Sequence, residues 1–103
     1  MTEVVNRHYQ DYDVYIGRGS IYGNAWTHKP SGTQAQFVVA TVEEAIAEYE
    51  AWLLGTKHHD FDQERRRQVL ASLPGLRGKR LGCFCKPRPC HGDVLLRLIG
   101  ELS

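Results

Sequence analysis

The chain has 103 residues and a formal net charge of +1, which is the size of one domain that can bury a core without disulfide or metal staples. The near-neutral charge argues against a surface that grips duplex DNA mainly by neutralising phosphates, but it is compatible with a local basic cluster in a pocket. Because no apolar run reaches membrane-spanning length and the first residues lack the apolar core of a signal peptide, we expect a cytoplasmic protein with reduced thiols and no membrane partner.

The first half of the chain predicts short strands around a long loop. TEVVNRH and YDVYIGRG are predicted strands, and the second shows the alternation of apolar and polar residues that strands require. GRGSIYGNAWTHKPSGTQAQ is rich in Gly, Ser, Asn and Thr, so we predict a long irregular loop of the kind that often carries function. FVVA is predicted as a short strand or an extended lead-in to a helix.

The second half predicts helices around one more strand. The first helix begins at Thr41, which forms a capping box with Glu44, and a glycine ends it. A second helix is predicted at about residues 62–73, a strand at KRLGCFC, and a final helix along the apolar stripe that starts at Val94. The order is roughly β-β-loop-α-α-β-α. It predicts an α/β or α+β fold, a single small domain over residues 1–103 in which about three helices pack on a short sheet.

The stretch LGCFCKPRPCHGDVLL contains all three cysteines and predicts a strand, a proline corner and a helix start. Cys90, His91 and Asp93 fall at or near the first helical turn, where unpaired N–H groups and the helix dipole favour anions. Lys86 and Arg88 add positive charge from the adjacent turn. There the thiolate of Cys90 is expected to be stabilised, and His91 is expected to act as an acid or base near neutral pH.

Three interpretations of this corner stay open. The first is a site for a phosphate or another anion. The second is a zinc site, whose ligands would be Cys83, Cys85, Cys90 and His91, although Cys-x-Cys lacks the two-residue knuckle of most zinc sites. The third is packing of cysteine as a small hydrophobe, which we favour for Cys83 alone. We predict no cofactor, with zinc as the alternative. A redox role for Cys85 and Cys90 is a further alternative, although their spacing is not Cys-x-x-Cys.

The stretch YIGRGSIYGNAW is the second candidate for a binding element. Its glycines allow close approach of the backbone to a ligand, and its arginine offers a planar fork that suits phosphate or carboxylate. Tyr22 and Trp26 offer stacking surfaces, with core packing as the expected fate of Trp26. The end of the first strand is expected beside this loop, with a surface salt bridge as the alternative role of its arginine. The ligand-binding candidates in this half of the chain are Asn6, Arg7, Gly17, Arg18, Ser20, Gly23 and Asn24.

Two charged runs are expected to have no part in a site. ERRR at residues 64–67 is predicted to be the outer face of a helix with its own ion pairs, and KHHD at residues 57–60 to be a solvated linker rather than a metal site.

Together, VVNRH, VYIGRGSIYGN and LGCFCKPRPCHGDVL, with a helix containing AWL between them, resemble the small bacterial and phage proteins of domain of unknown function family 4326. The resemblance covers nearly the whole chain. The family tends to have Gly-Asn-Pro-Phe where this chain has Gly-Asn-Ala-Trp at residues 23–26, and Cys-Trp-Cys where this chain has Cys-Phe-Cys at residues 83–85. The resemblance implies a fold and the place of a site, not a reaction, and the phage occurrence implies a setting of nucleotides, nucleic acid or host takeover.

We therefore expect binding of a nucleotide-like or phosphate-bearing small molecule between the loop at residues 17–24 and the helix start at residues 87–93, with nucleic acid as a second class of partner. The sequence does not decide whether the protein is an enzyme that cleaves or transfers this ligand. In an enzyme, Cys90 would be the nucleophile and His91 or Asp93 the acid or base. The alternative is a non-enzymatic protein-interaction module with a structural Cys/His corner, with or without zinc.

Overall fold

The computed structural model describes residues 2–27, 37–83 and 89–101. The predicted α/β class, with three helices and a short sheet in these ranges, is confirmed, and the predicted FVVA strand is present as β4. Lys86, Arg88 and Cys85 lie outside the described residues. The elements are β1 Glu3–Asn6, β2 Val14–Tyr15, β3 Trp26–Thr27, β4 Phe37–Val38, α1 Val42–Leu54, α2 Gln63–Ser72, a 3-10 turn Leu73–Leu76, β5 Arg80–Cys83 and α3 Gly92–Glu101.

The main sheet has three parallel strands in the order β1-β5-β2. Leu81 of β5 lies opposite Val4 on one side and Val14 on the other, so the latest strand in the sequence is the central one. β3 and β4 form a separate parallel pair. Since all three strands of the main sheet run in the same direction, their carboxyl ends meet at one edge, which is where open α/β sheets usually build ligand sites.

The connection from β1 to β2 crosses the face of the central strand. The side-chain oxygen of Asn6 accepts a hydrogen bond from the His8 N–H at 2.9 Å, which turns the chain back as β1 ends. Tyr12 then lies against Gly82, where an added Cβ atom would sit 2.6 Å from the Tyr12 Cγ. Glycine is therefore required at position 82, because any side chain there would displace the crossing segment.

α1 begins and ends as the sequence predicts. The Thr41 hydroxyl accepts from the Glu44 N–H at 3.0 Å, and the Glu44 carboxylate accepts from the Ala40 N–H at 3.2 Å. Gly55 ends the helix in the left-handed conformation, with a φ of 80°. The buried face of α1 centres on Tyr49 and Trp52, which pack into the single large core. In the described ranges no helix combines the length and apolarity needed to cross a bilayer.

The prediction that ERRR is an outer helix face is wrong for two of its three arginines. Arg67 does point outward and pairs with Glu64. Arg66 instead turns inward, and its Nε donates to the carbonyls of Trp52 and Leu53 at 2.9 and 3.1 Å. Arg65 turns towards the glycine loop. Because α2 has few apolar residues, arginine stems cover the core here while their charged ends bind backbone carbonyls.

The prediction that KHHD is a solvated linker is wrong for His58. The imidazole of His58 lies 4.7 Å from the ring of Trp26 and contacts the Glu48 carboxylate. Trp26 itself is 4% exposed, so its predicted place in the core is confirmed. The linker is thus tied to α1 and β3 through one aromatic side chain.

Candidate functional site

The carboxyl edge of the main sheet brings together the three segments that the sequence singled out. The Arg7 N–H donates to the Cys83 carbonyl at 2.9 Å, and the Ile16 N–H donates to the Gly82 carbonyl at 3.0 Å. The His91 Nε2 lies 2.7 Å from the Ile16 carbonyl oxygen. The end of β1, the start of the glycine loop and the start of α3 are therefore neighbours.

The glycine loop, residues 17–24, folds back on itself tightly. The Gly17 carbonyl accepts from both the hydroxyl and the N–H of Ser20, at 2.6 and 3.1 Å. Gly19 has a φ of 98°, a left-handed conformation that glycine adopts without strain. An added Cβ at Gly23 would lie 2.9 Å from the Arg18 Cα, so a side chain at position 23 would open the loop. The loop therefore presents backbone at close range to anything that binds it.

Arg18 is held by neutral acceptors. Its Nε donates to the Asn24 carbonyl at 2.9 Å and its Nη2 to the Trp26 carbonyl at 3.1 Å. The Tyr15 hydroxyl donates to the Arg18 carbonyl at 2.9 Å, which fixes the backbone at this point. Across the three ranges that the structure describes, no carboxylate pairs with the Arg18 guanidinium.

Asn24 has a structural place in the loop. It is 7% exposed, its Nδ2 donates to the Ala45 carbonyl at 3.1 Å, and its Oδ1 accepts from the Trp26 N–H at 2.9 Å. The side chain thus anchors the end of the loop to α1. Both the amide nitrogen and the amide oxygen of Asn24, a predicted ligand contact, therefore form hydrogen bonds within the fold.

A shallow cleft of about 250 Å³ opens beside the loop. Its second wall is the start of α2, whereas the sequence predicted the start of α3 on that side. Both Arg18 and Arg65 reach it, so two guanidinium groups of the described chain share one depression. The lining residues are Arg18, Gly19, Ser20, Gly23, Asn24, Ala25, Asp62 and Arg65.

Arg65 is the site residue that sequence reasoning missed. Its Nη1 donates to the carbonyls of Ile21 and Gly23 at 2.6 and 2.9 Å, and its Nε to the Asp62 carboxylate at 2.8 Å. The guanidinium also lies 4.7 Å from the Trp52 ring centre. Its carbonyl acceptors lie more than 40 residues away in sequence, so the spacing of charges along α2 gives no signal of them.

The residues at the start of α3 form a capping box in which a thiol takes the usual place of a hydroxyl. The Cys90 Sγ lies 3.3 Å from the Gly92 nitrogen and accepts its N–H, while the Asp93 carboxylate accepts the Cys90 N–H at 3.1 Å. Cys90 and Asp93 therefore stabilise the first turn. The signal was present in the sequence, because Cys-x-x-Asp has the spacing of a capping box.

His91 is buried and oriented. It is 8% exposed, and burial, the largest influence on it, lowers its pKa below the ordinary value. Because the Nε2 faces the Ile16 carbonyl, that nitrogen carries the proton and the Nδ1 is an acceptor, 3.6 Å from the Cys90 Sγ. The Tyr49 ring lies 5.2 Å away and edge-on. Burial therefore favours the neutral imidazole, whose Nδ1 faces the Cys90 thiol as a hydrogen-bond acceptor.

Cys83 lies on the other side of Cys90. Both cysteines are 1% exposed, so the predicted core packing of Cys83 is confirmed. Their sulfur atoms are 3.3 Å apart. Within residues 2–27, 37–83 and 89–101 no group of three or more metal-ligating side chains meets the geometry of a metal site, and Cys85, the fourth candidate zinc ligand, lies outside those ranges.

Arg7, at the carboxyl end of β1, places its guanidinium against two tyrosine rings. Its guanidinium lies 5.5 Å from the Tyr12 ring centre and 4.8 Å from that of Tyr15. Tyr15 in turn bonds the Arg18 backbone, so Arg7 and the glycine loop share one side of the sheet edge.

The sequence matches the profile of a family described as a domain of unknown function, DUF4326, over residues 3–101. It is 33% identical over 102 residues to an uncharacterised 12.4 kDa protein in the nrdA-td intergenic region of Enterobacteria phage T4. That alignment covers 99% of this chain and 81% of the phage protein. No solved structure matches the chain.

Proposed function

The chain belongs to the family described as a domain of unknown function, DUF4326, and we propose that it binds a nucleotide-like, phosphate-bearing small molecule at the glycine loop. The observation that supports this most is the environment of Arg18. Two of the five N–H donors of its guanidinium are used by backbone carbonyls, and no described carboxylate neutralises it. A planar cation fixed in this way binds a phosphate without first giving up an ion pair.

The backbone of the loop supports the same proposal. Gly19 lines the cleft and faces open space, so no side chain at this position keeps phosphate oxygens from the main chain. The cleft, at about 250 Å³, is slightly smaller than most small-molecule sites. We infer that it receives the phosphate end of the ligand while the rest lies over the rim.

We assign the start of α3 a smaller part in this binding than the sequence predicts. The N–H groups of Cys90 and Gly92 already bond within the capping box, so α3 adds its dipole rather than donors. Lys86 and Arg88 remain ligand candidates on their charge and position in the sequence. Cys90 and His91 have the proton-transfer geometry of a nucleophile and its base, but both are buried, so we propose binding as the function and cleavage or transfer as a second activity to be tested.

The test is calorimetric titration of the purified protein with inorganic phosphate, nucleoside mono- and triphosphates and sugar phosphates. We expect one class to bind, and Arg18→Gln to weaken its affinity at least tenfold while Arg18→Lys retains part of it. The matched control is Arg67→Gln, which removes an exposed arginine whose ion pair among the described residues is with Glu64. Melting temperatures show whether each variant is folded.

Two results would contradict the proposal. Equal affinity in a folded Arg18→Gln protein would mean that the ligand binds elsewhere. A ligand at a hundredfold its Kd stabilises a protein by about 2.7 kcal/mol. If no compound of the panel binds or stabilises the protein to this extent, the protein-interaction module would be favoured.

A further inference from the structure

We propose that Cys83 and Cys90 are a peroxide-sensitive thiol pair that forms a reversible disulfide between the central strand and α3. The sequence pointed to Cys85 and Cys90 as a redox pair. In the structure the sulfur that touches Cys90 is that of Cys83, at 3.3 Å. A disulfide requires about 2.0 Å, so the two sulfurs need to approach by only ~1.3 Å.

The backbone of each cysteine is held by a hydrogen bond beside the sulfur pair. Cys83 is the last residue of β5, and its carbonyl is held by the Arg7 N–H. Cys90 is held at the start of α3 by its N–H bond to the Asp93 carboxylate. Because both backbones are fixed by elements that pack in one core, the thiols are already in contact before any oxidant arrives.

The groups around Cys90 assign the two roles. The Gly92 N–H donates to the Cys90 Sγ at 3.3 Å, and the His91 Nδ1 lies 3.6 Å away as an acceptor for the thiol proton. A thiolate at Cys90 would accept the Gly92 N–H and lie beside the His91 Nδ1, so the proposal makes Cys90 the attacking sulfur. Cys83 is the resolving thiol.

The chemistry balances with a hydroperoxide as the oxidant. The Cys90 thiolate attacks one peroxide oxygen, the O–O bond breaks, and hydroxide leaves and takes up a proton to become water, which gives a sulfenic acid. The Cys83 sulfur then attacks the Cys90 sulfur, the S–O bond breaks and a second water leaves. Two thiols lose two electrons and two protons in total, and one hydrogen peroxide becomes two waters.

Burial selects the oxidant and gives the reaction a consequence. Both side chains are 1% exposed, so small peroxides are favoured over bulky disulfides such as glutathione disulfide. Disulfide formation draws the Cys90 sulfur away from the Gly92 N–H and loosens the cap of α3. His91 lies in that first turn and contacts the carbonyl of Ile16, the residue before the glycine loop. A shift of this turn on oxidation would therefore move the start of the loop.

The experiment treats the reduced protein with hydrogen peroxide, unfolds it, blocks remaining thiols with maleimide and measures intact mass and the cross-linked peptide. Compared with the untreated protein, we expect two fewer maleimide adducts and a polypeptide that is about 2 Da lighter because two hydrogen atoms are lost. The peptide map should show a Cys83–Cys90 link, and dithiothreitol should reverse it fully. Cys85→Ser is the matched control and should still form the link. Cys83→Ser should stop at a sulfenic acid that dimedone traps on Cys90.

Three outcomes would overturn the proposal: all three thiols still alkylated after peroxide, a link that involves Cys85, or oxidation only after removal of one tightly bound zinc. The wild-type peptide map needs no variant to fold, and none of these readouts uses ligand binding. The thiol pair and the proposed binding function therefore stand or fall separately.

Discussion

Replacing Arg65 by methionine removes a charged group that ties α2 to the glycine loop while keeping an apolar stem over the core. The change deletes two hydrogen bonds from a cation, to the carbonyls of Ile21 and Gly23, and a contact with the Trp52 ring. The side chain is 20% exposed, so these groups are largely shielded from water. We expect a clear loss of stability from a substitution that the sequence alone would place on a solvated face.

The magnitude follows from the contacts. A hydrogen bond from a charged donor contributes about 1.5–3 kcal/mol, and we take the lower value because water in the open cleft can reach the two carbonyls. The ring contact adds about 0.5–1 kcal/mol. The pair with Asp62, whose side chain is 40% exposed, adds little. The expected cost is about 3.5–4 kcal/mol, or a fall of roughly 14–32 °C in the melting temperature of a domain near 100 residues.

The assay is urea and thermal unfolding followed by circular dichroism, with Arg67→Met as the control. Arg67 lies on the same helix, is 64% exposed and pairs only with Glu64, so its replacement should cost under about 0.5 kcal/mol. Equal unfolding midpoints for the two variants would show that the bonds of Arg65 to the loop do not stabilise the fold.

Further predictions address the core, the sheet and pH. Tyr49→Phe removes the donor to the buried Tyr22 carbonyl and should cost about 1–2 kcal/mol in urea unfolding; an unchanged midpoint would contradict this. Gly82→Ala should cost about 1–3 kcal/mol because its Cβ would overlap the crossing segment, whereas Gly75→Ala, which faces open space, should be close to neutral. Burial lowers the pKa of His91 below 6.5, so the unfolded chain binds more protons, and the stability present above that pH should fall as the pH drops from about 7 to 5. In a His91→Gln protein the stability should depend less on pH over this interval. A wild-type unfolding midpoint that rises as the pH drops would refute the argument.

The local signals in the sequence were read correctly where short-range chemistry decides. Thr41 and Glu44 mark the start of α1, and Gly55 marks its end, because caps depend on neighbours within a few residues. The corner between β5 and α3 was predicted from its prolines and the apolar stripe that follows.

The errors arise where distant partners decide. Nothing in ERRR distinguishes Arg65 from Arg67, because the acceptors of Arg65 lie in another segment. The sequence predicts a loop where β3 lies, since two residues carry no periodicity, and this strand exists through pairing with β4. Strands of two to four residues likewise do not reveal that β1 and β2 both pair with β5.

The late position of β5 in the chain has a consequence for the order of folding. β1 and β2 hydrogen-bond to β5 and not to each other, so neither has its sheet partner until residues 80–83 are present. The helices α1 and α2 can form from local contacts well before that, while closure of the sheet has to overcome the entropy of a loop that contains most of the chain. We therefore expect helix formation to precede sheet closure in refolding, and a chain that emerges from the ribosome to keep its first two strands unpaired until residues 80–83 have emerged.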